Sequence, residues 1–357
     1  MNQQLYVIKL CSELSFFFKV KLVKQVTSLV SQGYAISLAS SFCAINQDFQ
    51  RMNKSFYFIA LAALLLTVSE ASARKRFISA PRFARPIVEQ WIADYKAVAP
   101  DEEFVIAAAA EDKENSAIVV SVAGGKDSQS NADTKTVYFA EYAVVPIVQK
   151  NSEAAQLVAS QRWDDKFVKQ LFFVADDGPD TKKRKKSLTE SLTIYTGNSS
   201  SSVSQGFATF FGKPLSSFRG KRIVGDDQFL IAALSKDQLG ISINTLPNLY
   251  DLNTRRLNDK FSIVPLEVGK SVREVLDDKA TLDELIAAIE ADRDSGIPLG
   301  QVGLTFNDDD IAVTEFVAWV MEKGRTYNHQ YGLLDVDDMF AASQTFELRK
   351  ALTAQNE

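Results

Sequence analysis

The residues most able to do chemistry are Thr196-Gly197-Asn198-Ser199-Ser200-Ser201-Ser202. This run follows a strand-like segment and opens a helix-like one. Backbone N–H groups at a helix start, with hydroxyls beside them, make a seat for an anion. Serine is also a preferred helix cap, so capping is an equally ordinary use of the run. A second loop, Ser79-Ala80-Pro81-Arg82, has the same position, after a strand and before a helix. A guanidinium there can grip an oxyanion with two parallel hydrogen bonds. The two loops together predict a cleft for a small oxyanion. The serine loop would supply hydrogen-bond donors and Arg82 the charge.

Covalent chemistry finds no support. The only histidine, His329, sits in a polar segment and reads as a surface or structural residue. Without cysteine partners it cannot build a typical zinc site, so no metal is expected. There is no G-x-S-x-G elbow for a serine nucleophile. The stretch from Gly206 to Gly212-Lys213 is one residue longer than a phosphate-binding loop needs, and Pro214 stands where that loop needs Ser or Thr. Asn307 and Asp308-Asp309-Asp310 lack the spread of ligands and closing Glu of a calcium loop, and read as a helix start. The chain is therefore expected to be a binding protein, without cofactor, and not an enzyme.

Strand and helix patterns alternate along the chain, which predicts an α/β fold with mixed sheets flanked by helices. Residues 76–79, 104–106 and 117–122 read as strands, and a helix from Pro86 carries Ile87, Trp91 and Tyr95 on one face. Tyr142 to Val148 reads as a buried strand interrupted by Pro146, which usually marks an edge or a change of direction. One helical stretch is expected over 152–173 and a strand at Leu192 and Ile194. Val203, Phe207, Phe210 and Phe211 predict a helix that stops at Gly212, and another runs from Asp227 to Leu234. Leu239 to Ile243 reads as a strand. Thr281 and Glu284 form a capping box, and Val313, Phe316, Val317 and Val320 share one helix face.

Met52-Asn53-Lys54, the apolar run from Phe56 to Leu66, and Ala71-Ser72-Ala73 have the order of a secretory signal peptide, which predicts a mature protein starting near Arg74, outside the cytoplasm. Residues 1–51 are expected to be an artefactual extension, with a genuine long leader as the alternative. Both cysteines, Cys11 and Cys43, precede Met52, so the exported part needs no disulfide. A net charge of −5 and a lone basic cluster, Lys182-Lys183-Arg184-Lys185-Lys186, beside an acidic stretch exclude a nucleic-acid protein. The signal segment is too short to remain as a membrane span after cleavage.

Several segments taken in order resemble the phosphate-type periplasmic solute-binding proteins. Ile78-Ser79-Ala80-Pro81 with Trp91 and Tyr95 is similar to that family's first ligand loop and helix. Val144-Val145-Pro146-Ile147 is similar to its crossing strand, and Thr196-Gly197-Asn198-Ser199-Ser200 leading to Phe207, Phe210 and Phe211 to its serine loop. Leu239-Gly240-Ile241-Ser242-Ile243 is similar to its return strand. Ile297-Pro298-Leu299-Gly300, then Phe316, Trp319, Gly324 and Tyr327, resembles its C-terminal pattern. The resemblance implies a two-lobed, type II periplasmic-binding-protein fold with two hinge crossings. Lobe 1 would be 74–146 plus 247–357, and lobe 2 would be 147–246. It implies Ser79, Ala80, Arg82, Asn198, Ser199, Ser200, Ser201 and Ser202 as ligand residues, an ABC-type transporter permease as partner, and a monomer. The departures fall on the ligand loops. Pro81 removes a backbone donor, no G-S-G follows the second strand, the serine loop lacks an arginine, and no acceptor aspartate can be matched, with Gly124-Gly125-Lys126-Asp127 merely nearby. The alternative is a diverged scaffold without a small ligand, acting as an envelope interaction or regulatory module.

Overall fold

A parallel trio of strands starts the structure, a computed structural model that describes residues 74–123, 134–174, 191–199 and 202–355. The signal segment, the extension before it, both cysteines, Gly124 to Asp127, the basic cluster, Ser200 and Ser201 lie outside the described residues. β1 (Lys75–Ser79) pairs in parallel with β2 (Glu103–Ile106) and β3 (Ile118–Ala123). α1 (Arg85–Val98) makes the crossover from β1 to β2, with Pro86 in its first turn, where no N–H is needed. Its i, i+4, i+8 stripe of Ile87, Trp91 and Tyr95 is buried as expected. α2 (Ala110–Glu114) connects β2 to β3.

β4 (Lys135–Gln149) ties the two halves of the sheet together; the strand order is β2, β1, β3, β11 (Leu299–Phe306), β4, β7 (Gly240–Thr245), β5 (Thr193–Gly197) and β6 (Lys221–Ile223). Its first part, to Ala143, pairs antiparallel with β11 (Leu299–Phe306). Its last part pairs antiparallel with β7 (Gly240–Thr245), from Val144↔Thr245 to Val148↔Ile241. Pro146 does not end the strand. The Val144 N–H donates to Pro298, and the Val264 N–H donates to the Pro146 carbonyl, so Pro146 sits where the β11 ladder hands over to β10 (Phe261–Ile263). A missing donor costs no ladder bond at such a junction.

The second half adds β5 (Thr193–Gly197), parallel to β7, and β6 (Lys221–Ile223), parallel to β5. The helical stretch expected over 152–173 is two helices, α3 (Glu153–Ala159) and α4 (Asp165–Phe172). Ser152 caps the first through the Ala155 N–H and Asp164 caps the second through the Phe167 N–H. Between them Trp163 is buried and donates to the Val158 carbonyl. A local side chain thus wins the backbone donors from a continuous helix.

α5 (Val203–Phe210) follows β5 and α6 (Gln228–Leu234) follows β6. Gly212, at φ +66°, ends the α5 turn in the left-handed conformation glycine tolerates. α7 (Leu246–Leu249), the small hairpin of β8 (Tyr250–Asp251) and β9 (Arg256–Leu257), α8 (Lys270–Val275) and α9 (Leu282–Ala291) lead to β11. Thr281 and Glu284 make the expected capping box on α9. α10 (Ile311–Glu322) is capped by Asp310, which accepts from Ala312 and Val313, so the aspartate run serves a helix start. Asp310 is also gripped by Arg76 at 2.9 and 3.1 Å. β12 (Leu334–Asp335) borders β4, and α11 (Asp338–Gln355) closes the described chain. Among the described residues no helix is long and apolar enough to cross a membrane.

Candidate functional site

β1 and β5 run in parallel ladders, and each ends in a loop that feeds a helix. In open α/β sheets the carboxyl ends of strands are where ligands collect, because the chain leaves the sheet there and opens a crevice. Ser79 closes β1; Pro81 and a short 3-10 turn over Arg82–Ala84 then lead into α1. Gly197 closes β5, and Asn198 and Ser199 follow. These two loops come together. Ser79, Ala80, Pro81, Arg82, Asn198 and Ser199 line one cleft of about 480 Å³.

The cleft also takes residues that sequence reasoning missed as ligand groups. Arg85 comes from the first turn of α1 and Lys113 from α2. Asp226 and Asp227 come from the loop before α6, and Asn248 from α7. Three cations therefore line the cleft on the side of the first loop, Arg82 within it and Arg85 and Lys113 beside it, and two aspartates line it on the side of the second. Arg85 Nε lies 3.4 Å from the Ala80 carbonyl, which holds its stem against the loop. Lys113 was hidden because α2 is too short to show a periodicity. Asp226 and Asp227 had a signal, acidic residues ahead of a helix, that reads as capping alone.

Ser202 has a different role from a lining residue. It is buried, and its Oγ accepts from the Ser204 N–H at 3.2 Å as the N-cap of α5. Its hydroxyl donates to Asp227 Oδ1, and Asp227 Oδ2 accepts from the Val203 N–H at 3.1 Å. The Asp227 carboxylate thus occupies the first turn of α5, where unpaired N–H groups and the helix dipole favour negative charge. Burial pushes the Asp227 carboxyl above its usual range, against the Ser202 and Val203 hydrogen bonds that pull it down. Gly197 permits this arrangement, since a Cβ there would meet Ser202 Oγ at 2.1 Å.

A partly buried polar net holds the carboxylate wall. Asn244 Nδ2 donates to the Asp227 carbonyl at 3.1 Å, and Asn244 Oδ1 accepts from Asn248 Nδ2 at 2.8 Å. Asn248 Oδ1 in turn accepts from Gln228 Nε2 at 2.8 Å. Asp226 Oδ1 accepts from the Gln228 N–H at 2.8 Å, after a turn in which Gly225 takes φ +107°.

His329 lies apart from this cleft. Its Nε2 is 3.0 Å from Glu290 Oε1 and 3.5 Å from Asp335 Oδ2. Glu290 Oε1 also accepts the Asp335 N–H at 2.7 Å. The Glu290 hydrogen bond holds the imidazole above its usual pKa range, as expected of an ion-paired histidine.

No protein-family model matches the chain, and no curated protein matches its sequence. Solved structures do match. A Clostridium perfringens protein assigned as a phosphate ABC transporter substrate-binding protein, with bound phosphate, aligns with a TM-score of 0.51 and 12% identity, over 74% of this chain and 100% of that one. An ABC-type phosphate transport receptor from Vibrio cholerae aligns with a TM-score of 0.45 and 12% identity, over 73% of this chain and 100% of that one. The first likeness shows the fold, the two-lobed α/β architecture of periplasmic binding proteins, with β4 passing between the halves.

Proposed function

We propose that the chain is an exported solute-binding protein that holds a small, phosphate-like oxyanion in the cleft between its lobes and delivers it to an ABC-type membrane permease. The observation that carries this reading is the meeting of Ser79 and Arg82 with Asn198 and Ser199 in one cleft, from segments more than a hundred residues apart, together with Arg85 and Lys113. Arg82 and Arg85 supply charge-assisted hydrogen bonds, and Ser79 and Ser199 supply hydroxyls. Ser200 and Ser201 extend the second loop in this reading. The bound phosphate of the Clostridium perfringens structure supports the ligand class. Lobe 1 is 74–146 plus 247–357 and lobe 2 is 147–246. The leader at 52–73 directs export to the periplasm, where the protein works as a monomer and performs no covalent step.

One observation favours a second reading, a scaffold that has lost its small ligand and serves as an envelope interaction or regulatory module. The first turn of α5 already has its anion, the Asp227 carboxylate. Titration calorimetry with phosphate and sulfate separates the two. The receptor reading predicts one-site binding that Arg82→Ala and Arg85→Ala each weaken about tenfold or more, the worth of a hydrogen bond to a charged group. Heat signals from neither anion, nor from an organic oxyanion such as phenylphosphonate, would leave the second reading in its place.

A further inference from the structure

Two exposed valines line this cleft, with an exposed phenylalanine next to its rim. Val119 of β3 and Val224 line it, and Phe229 of α6 lies against Gly225, another lining residue, where an added Cβ would meet the ring at 2.9 Å. Val119 is 40% exposed, Val224 75% and Phe229 54%. A single exposed apolar side chain is ordinary, but a group of them beside convergent charges marks a binding surface.

The polar groups of the cleft are divided by sign. Arg82, Arg85 and Lys113 offer donors from the first half, whereas Asp226 and Asp227 put carboxylates on the second. The first turn of α5 cannot serve an anion, because Asp227 fills it. A protonated phosphate can donate to a carboxylate, but the valine surface offers a tetrahedral ion no hydrogen-bond partner on its side. A volume of about 480 Å³ also lies within the range of sites for organic ligands, about 300–1,000 Å³.

We infer that the cleft takes a small organic anion: an acidic head group on Arg82, Arg85 and Lys113, and an apolar body against Val119 and Val224. This inference rests on the oxyanion reading above and names the ligand class within it. The head stays on the cationic side, and the body covers apolar surface that an inorganic ion would leave wet.

Calorimetry on the purified protein with inorganic phosphate, methylphosphonate and phenylphosphonate tests it. The expected order is phenylphosphonate, then methylphosphonate, then phosphate, with at least about tenfold between the ends, a gain consistent with burying an aromatic ring. Val224→Ser, at a position that is 75% exposed, should shrink the ratio of phenylphosphonate to phosphate affinity. Phosphate binding as tightly as phenylphosphonate overturns the inference and leaves the oxyanion reading standing. No binding by any of the three overturns both.

Discussion

Asp227 bears most on whether this cleft admits an anion. It is a buried carboxylate that accepts from the Ser202 hydroxyl and the Val203 N–H. Asp227→Ala strips both donors of their acceptor and should cost about 1–2 kcal/mol in chemical denaturation. Asp227→Asn keeps the shape, and its amide can donate back to Ser202, so stability should change much less. Removing the charge should also tighten oxyanion binding several-fold, read by calorimetry. An unchanged affinity would place the anion away from this wall. His329 gives a separate prediction. Its pKa is raised in the folded protein by Glu290, so its stabilising contribution is fully present below the ordinary histidine value and is lost as pH rises through the folded value. His329 is about half exposed, which limits the contribution to less than about 1 kcal/mol. His329→Gln should therefore lower stability slightly near pH 6 and leave it unchanged above pH 8, in denaturation curves across that range. At this scale Ser79, Arg82, Asn198 and Ser199 were legible, because a strand followed by polar residues and a helix shows in the pattern. Arg85 was not, since an arginine at a helix start looks like any solvated charge.

Elements bring these residues together, and β4 is the one that does most. Pattern reading located its buried run but took Pro146 as a break, because the handover from β11 to β10 that makes a proline harmless depends on strands more than a hundred residues later. The ring of Tyr142, just before the crossing, is fully buried between two glycines of different elements. A Cβ on Gly206 of α5 would lie 2.4 Å from its Oη, and one on Gly300 of β11 would lie 2.3 Å from a ring carbon. The backbones of both halves thus close on one side chain. Gly300→Ala should destabilise by about 1–3 kcal/mol, the range for overpacking a filled core. Thermal denaturation of this variant, with no loss of stability, would show that the ring has room to move. The amphipathic helices α1, α5 and α10 were legible from their 3.6-residue spacing. β6, β10 and β12 were not, because strands of two or three residues carry too little alternation to stand out from loops.

At the largest scale the described residues form a curled mixed sheet flanked by helices, with one long strand common to both halves, and the order of segments made the fold legible where no single motif did. The closing of the cleft was only half legible. Two loops could be paired by their positions, but Lys113, Asp226, Asp227 and Asn248 join them through three-dimensional closure alone. On the proposed reading, a ligand held in the cleft adds stability to the folded unit. The most direct test is thermal unfolding of the purified protein with phosphate, sulfate and phenylphosphonate, each raised to millimolar concentration. A ligand at about 100 times its dissociation constant adds about 2.7 kcal/mol. The account predicts a concentration-dependent rise in Tm with at least one of these anions that Arg82→Ala cuts by about half or more. An unchanged Tm with all three would contradict it.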